Sequence, residues 1–177
     1  MKWKIISTEQ KYKNKWMTVT EDVFENVDGK RLTYGVVRKE PCALIIPWDG
    51  KVFTLVGQYR HPNDYFSWEF PQGHLEHGSV EKTAIKELKE ETGLTAEKIE
   101  QLAHFYLAPG HHTQEYFVFL ATGLREGKQE LEESEEGMVT KKIAPRELEK
   151  MISDGLIKDG PTLAACGLLK IKWNLKT

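Results

Sequence analysis

The stretch "GHLEHGSVEKTAIKELKEETGL", residues 73–94, is where a largely strand-like chain changes to a helical period. Ser79 is a good N-cap, Glu81 falls in the first turn, and Gly93 supplies the left-handed stop, so a helix is expected between them. At about 100° per residue, positions i, i+3 and i+4 share a face, which gathers Glu87, Glu90 and Glu91 into one arc. Ala84, Ile85 and Leu88 form a second arc, expected to pack on a sheet, and Lys82, Lys86 and Lys89 form a third. A solvated helix laced by pairs such as Lys86 with Glu90 would account for the charges alone. The clustering argues for something more. Two carboxylates about 4 Å apart repel by roughly 4 kcal/mol at an effective dielectric near 20. A divalent cation turns that penalty into a binding site, and oxygen ligands suit Mg²⁺ or Mn²⁺.

Around this segment, alternation of apolar and polar residues dominates. Residues 3–41 read as two or three antiparallel strands with a hairpin at Asp28-Gly29, and residues 42–62 repeat the plan through a Trp-Asp-Gly turn. "IEQLAHFYLAP" and "QEYFVFLATGL" read as strands flanking the loop "GHHT", and "MVTKKIA" as another after the acidic loop "EGKQELEESEEG". "PRELEKMISDGLI" and "PTLAACGLLKIKWNL" close the chain as helices opened by prolines. The pattern is α+β. A length of 177 residues accommodates one core with a small added subdomain. A net charge of -2 offers no broad basic field for nucleic acid. No apolar run approaches the roughly 20 residues needed to span a bilayer. The opening residues lack a signal-peptide apolar block, and the two cysteines have no metal-type spacing, so a reducing cytoplasm is expected. His74, His77, His111 and His112 lack the spacing of a zinc site.

Upstream of the helix, "SWEFPQG" adds a carboxylate at Glu69 and a glycine, Gly73, that lets the backbone turn close to a bound ion. From Gly73 to "KELKEETGL" the segment resembles the signature of the Nudix hydrolases. "VGQYRHP", "YLAPGHHTQE" and "GLIKDGPTLAACGLL" are similar to the branch acting on ADP-ribose and nucleoside diphosphate sugars. The resemblance implies a mixed, mostly antiparallel sheet between helices over residues 41–177. It also implies an N-terminal β subdomain, residues 1–40, that builds a homodimer. It further implies hydrolysis of a pyrophosphate bond of a nucleotide substrate with Mg²⁺, or Mn²⁺ in its place. Glu87, Glu90, Glu91 and the Gln72 carbonyl would be metal ligands, with Glu91 also counted as catalytic. The acidic loop would add Glu133 as base and Glu135 as a further ligand. Arg60, His112 and Glu115 would contact substrate.

Two departures stand out. The signature is one residue short, with Ser79 at the counted position of its first glutamate and Lys86 in place of its arginine. In the family those two residues pair and buttress the loop; with both lost, Lys86 is expected to be exposed and unpartnered. Two other functions fit parts of the pattern. "FPQG" also suits an enzyme of dinucleoside polyphosphates or capped RNA, and the damaged box suits a non-catalytic nucleotide-binding module. Trp3, Trp16, Val19, Phe24 and Val36 are expected to lie on strands with little sequence left to cover them.

Overall fold

The computed structural model describes residues 3–76 and 78–173 and divides the chain into two compact units. One runs to Pro41 and takes in Tyr106–Glu115; the other comprises Cys42–Phe105 and the chain from Tyr116 onward.

The first unit is an antiparallel sheet of β1 (Lys4–Lys13), β2 (Thr18–Glu25) and β3 (Arg31–Arg38), in that order. Between β2 and β3 the Asn26 side chain accepts the backbone N–H groups of Asp28 and Lys30, and Gly29 takes the positive φ that closes the hairpin. Alternate residues of β2 (Thr20, Asp22 and Phe24) are buried on one face. Arg38 compensates the Asp22 carboxylate at 2.6 Å. Phe24 is covered after all, because the Trp3 ring stacks on it at 4.4 Å. Trp3 itself and Trp16 stay about half exposed, as does every residue of β1 to some degree. The segment from Tyr106 to Glu115 joins this unit through backbone bonds of Val37 with His111 and Thr113.

In the second unit, β4 (Cys42–Pro47) pairs with β7 (Gln72–His74) on one side and, in parallel, with β9 (Glu115–Arg125) on the other. With β8 (Thr95–Tyr106) these give the order β7-β4-β9-β8. A second sheet has the order β10-β5-β6, from β5 (Phe53–Arg60), β6 (Tyr65–Glu69) and β10 (Val139–Ile143). Every residue of β4 is buried, since its two faces meet different helices. Cys42, Leu44 and Ile46 pack with residues of α2 (Pro145–Ser153) and α3 (Gly160–Trp173), while Ala43 and Ile45 pack with Ala84 and Leu88 of α1 (Val80–Thr92). β6 and β7 are not visible in the hydrophobic period. At five and three residues they are too short to alternate clearly, and pairing with β5 and β4 forms them. Among the described residues no helix is long and apolar enough to cross a membrane.

Helix α1 begins and ends at the caps read from the sequence: Ser79 Oγ accepts from Lys82, and Gly93 is left-handed at φ 73°. Its buried face differs from the expected one. Ile85 is 57% exposed, and the inward stripe is Thr83, Ala84, Glu87, Leu88 and Glu91. Ile85 lies about 100° around the helix from Ala84, away from the arc that Ala84 shares with Leu88 and Glu91. Glu87 and Glu91 therefore sit inside the buried face, where the sequence suggested a flank, while Glu90 stays half-buried at its edge.

Candidate active site

Three carboxylates converge in the second unit. Oxygens of Glu87, Glu91 and Glu135 all lie within 4.8 Å of one another, with Glu87 and Glu91 buried. The segment entering β7 makes room for them. The Gln72 backbone N–H donates to Glu91 at 2.9 Å. Gly73 faces Glu87 so closely that a Cβ there would fall 2.0 Å from its carboxyl carbon. Only a residue without a side chain allows this approach. Burial pushes the Glu87 carboxyl up to about 7, helped by Glu90 and Glu135 against the pull of Lys86. Burial drives Glu91 well above the ordinary carboxylate range, and the Glu87 charge drives it further. Burial also raises Glu135. Three clustered acidic oxygen donors, two of them desolvated, fit a hard divalent cation, which would offset the burial and the mutual repulsion that raise them.

Glu135 reaches this cluster from a 3-10 turn, Glu133–Glu135, closed by a reciprocal cap. The Glu132 side chain accepts the Glu135 N–H, and the Glu132 N–H donates to Glu135 Oε2 at 2.9 Å. The loop leading to this turn is fastened to α1: Glu130 N–H donates to the Glu90 carbonyl at 3.0 Å, and Gln129 Nε2 to that of Glu91 at 2.6 Å. Glu133 is exposed and is not one of the three converging carboxylates. Glu90 is not one of them either; its carboxylate pairs with Lys86 at 3.2 Å.

Lys86 corrects an expectation. Far from being unpartnered, its ammonium lies near Glu76 (3.4 Å), Glu90 and Glu132 (3.7 Å). Glu76 stands three residues past Gly73, so the shortened loop still pairs a glutamate with the helix cation, from a different position. The loss of two motif residues has been offset locally.

Glu69, a carboxylate of "SWEFPQG" to which the sequence assigns no partner, lies beside this cluster. Glu69 is 1% exposed and forms a two-pronged pair with Arg60, with Nε 2.7 Å from Oε1 and Nη2 on Oε2. Gln72 Nε2 donates to the same Glu69 Oε2 at 2.7 Å, so Arg60, Glu69, Gln72 and Glu91 form one chain of bonds. Arg60 ends β5 opposite Tyr65 and Glu69 ends β6 opposite Val56, so the two share a face of the pair without sharing a rung, and the long arginine side chain spans the interval. Thr162 fixes the turn from behind, its hydroxyl accepting the Phe70 N–H at 3.0 Å, while Asp159 caps the Thr162 N–H at 2.8 Å.

His112 and Glu115 belong to the first unit. His112 Nδ1 accepts the Gln114 N–H at 3.0 Å, which leaves the neutral ring's proton on Nε2. Burial, then Lys39 and His111, lower its pKa. His77 lies outside the described residues. A separate apolar cavity of about 500 Å³ between α2 and α3, lined by Phe53, Leu148, Ile152 and Cys166, includes none of the converging carboxylates.

A family model for the NUDIX domain matches residues 38–164, and one for the nucleoside diphosphate sugar hydrolase N-terminal domain matches residues 3–37. An ADP-ribose pyrophosphatase of Bacillus subtilis (strain 168) is 33% identical over 175 residues, covering 96% of this chain and 93% of that protein. The methanol dehydrogenase activator of Bacillus methanolicus is 29% identical over 177 residues, covering 98% and 95%. A crystal structure of an ADP compounds hydrolase superposes with a TM-score of 0.87 at 21% identity, over 100% of this chain and 98% of the other, a likeness of fold.

Proposed function

We propose that this chain, which belongs to the NUDIX domain family, hydrolyses the pyrophosphate bond of ADP-ribose or a nucleoside diphosphate sugar. The products would be a nucleoside monophosphate and a sugar phosphate. The observation that carries the reading is the convergence of Glu87, Glu91 and Glu135 against the backbone of Gln72 and Gly73. The match of residues 3–37 to a nucleoside diphosphate sugar hydrolase domain favours this substrate class over capped RNA or dinucleoside polyphosphates.

Glu87, Glu91 and Glu135 would hold Mg²⁺ or Mn²⁺, with Glu90 and the Gln72 carbonyl as further candidates beside them. When bound, such a cation neutralises charge developing on the phosphates and lowers the pKa of the attacking water. The Gln72 N–H holds Glu91 in place against the neighbouring charges, and Gly73 leaves the room that the Glu87 carboxylate occupies. Arg60, with two nitrogens held by Glu69, presents a fixed guanidinium whose remaining donors suit a phosphate oxygen. Glu133, exposed on the acidic loop, is the proposed proton acceptor, and His112 and Glu115 the proposed substrate contacts.

Residues 1–40 are proposed to form a dimer interface. Trp3, Ile5, Tyr12, Trp16 and Val27 of this unit are each about half exposed or more, and an isologous contact would bury them. Light scattering showing only the single-chain mass at micromolar concentration would rule that out. The activity is tested by incubating the protein with ADP-ribose, ADP-glucose, GDP-mannose, UDP-glucose and a dinucleoside polyphosphate, with Mg²⁺, Mn²⁺ or EDTA, and weighing the products. A nucleoside monophosphate from one of the first four, abolished by EDTA, is expected. No cleavage of any compound would leave a binding module as the better reading.

A further inference from the structure

The three carboxylates around Lys86 come from three different segments. Glu76 follows β7, Glu90 lies on α1, and Glu132 opens the turn that carries Glu135. The pairs with Glu76 and Glu132 are exposed ones of the kind that stabilise a fold only slightly, and the Glu90 pair is half-buried; the Lys86 side chain is 43% exposed. Their placement matters more than their strength. The stem of the acidic loop is bonded to the carbonyls of α1 at Glu90 and Glu91, and the Lys89–Glu130 pair at 2.8 Å reinforces it there. Past the stem, Lys86 reaches Glu132, and Glu132 closes the cap that orients the Glu135 carboxylate.

We propose that Lys86 is a positioning residue for cation binding, clamping Glu132 against α1 and thereby setting where Glu135 stands relative to Glu87 and Glu91. The inference rests on the metal reading of the site. It assigns to this chain's lysine a task tied to the acidic loop, in addition to bracing the shortened loop at Glu76.

Charge alone predicts the opposite effect. A fixed cation repels a second cation, so deleting the Lys86 charge would tighten metal binding if electrostatics were its only contribution. Loosening Glu135 weakens binding instead, as loss of a group that orients a ligand does. The sign of the change separates the two.

The experiment is a Mn²⁺ titration of the full chain without substrate, followed by electron paramagnetic resonance, on wild type, Lys86→Gln, Lys86→Arg, Glu132→Gln and the Lys86→Gln/Glu132→Gln double variant. Lys86→Gln is expected to weaken binding about tenfold, the lower end for such orienting groups, and Lys86→Arg to retain most of the affinity. The double variant should be no weaker than the weaker single one, because both changes open the same link. In EDTA, hydrogen exchange at residues 132–138 should quicken in Lys86→Gln while α1 stays protected, which separates a loosened loop from a damaged fold. Wild-type binding with equal or tighter affinity in Lys86→Gln would overturn the clamp and leave the metal reading intact. A wild type that binds no Mn²⁺ would sink the metal reading, and the inference with it.

Discussion

Removing divalent metal should make the fold progressively less stable as pH rises from about 5 to 8, and restoring metal should reverse the loss. In the unfolded chain Glu87 ionises near the ordinary value of 4.5, while burial holds it at about 7 in the fold. Between those values the folded protein binds more protons than the unfolded one, so stability falls with rising pH. At about 1.4 kcal/mol per pH unit, the gap is worth about 3 kcal/mol. For a chain of this size that lowers the melting temperature by roughly 6–12 °C. Glu91 moves in the same direction and adds to the loss. His112, whose pKa is lowered by burial, opposes it by gaining stability as pH rises through 6.5. The comparison of wild type with Glu87→Gln removes that contribution, since His112 is common to both. The assay is urea denaturation in EDTA across this range, repeated near pH 8 with excess Mg²⁺. The variant should show a flatter profile and a blunted response to Mg²⁺. Equal stability of wild type at both ends, or a variant as sensitive to pH and metal as wild type, would refute the coupling of buried carboxylates to cation binding.

Three further expectations follow from named contacts. Gly73→Ala places a methyl group 2.0 Å from the Glu87 carboxyl carbon; Mn²⁺ affinity should drop about tenfold or more, and an unchanged titration would show that Glu87 is free to swing elsewhere. Arg60→Ala leaves Glu69, 1% exposed, without its counter-charge, and should cost about 3 kcal/mol in urea denaturation. The Arg60→Ala/Glu69→Gln double variant should recover part of that cost, and a single variant as stable as wild type would contradict the pairing. Glu133→Gln should lower turnover by roughly 10² to 10⁴ with little change in metal affinity, whereas Glu135→Gln should weaken both. If neither variant changes the steady-state rate, proton transfer belongs to another group.

Local chemistry was legible in the sequence wherever a residue's task depends on its neighbours along the chain. Ser79 and Gly93 delimit α1, Asn26 to Gly29 turn a hairpin, and the i, i+3, i+4 spacing of Glu87, Glu90 and Glu91 places them on one side of a helix. Which carboxylates face inward was not legible, because periodicity defines an arc and packing chooses its centre. Burial of Ala84 and Leu88 against β4 turned Glu87 and Glu91 under the helix and Ile85 out to solvent. Contacts between segments distant in sequence were likewise decided only in three dimensions. Glu69 meets Arg60 along a shared face of β5 and β6, and Glu135 meets Glu87 and Glu91 across more than forty intervening residues. Lys86 is the sharpest case. Its sequence context suggested a cation that had lost its partner, yet the fold surrounds it with Glu76, Glu90 and Glu132. A charge pair requires proximity in space, and proximity is supplied by the packing of the whole unit.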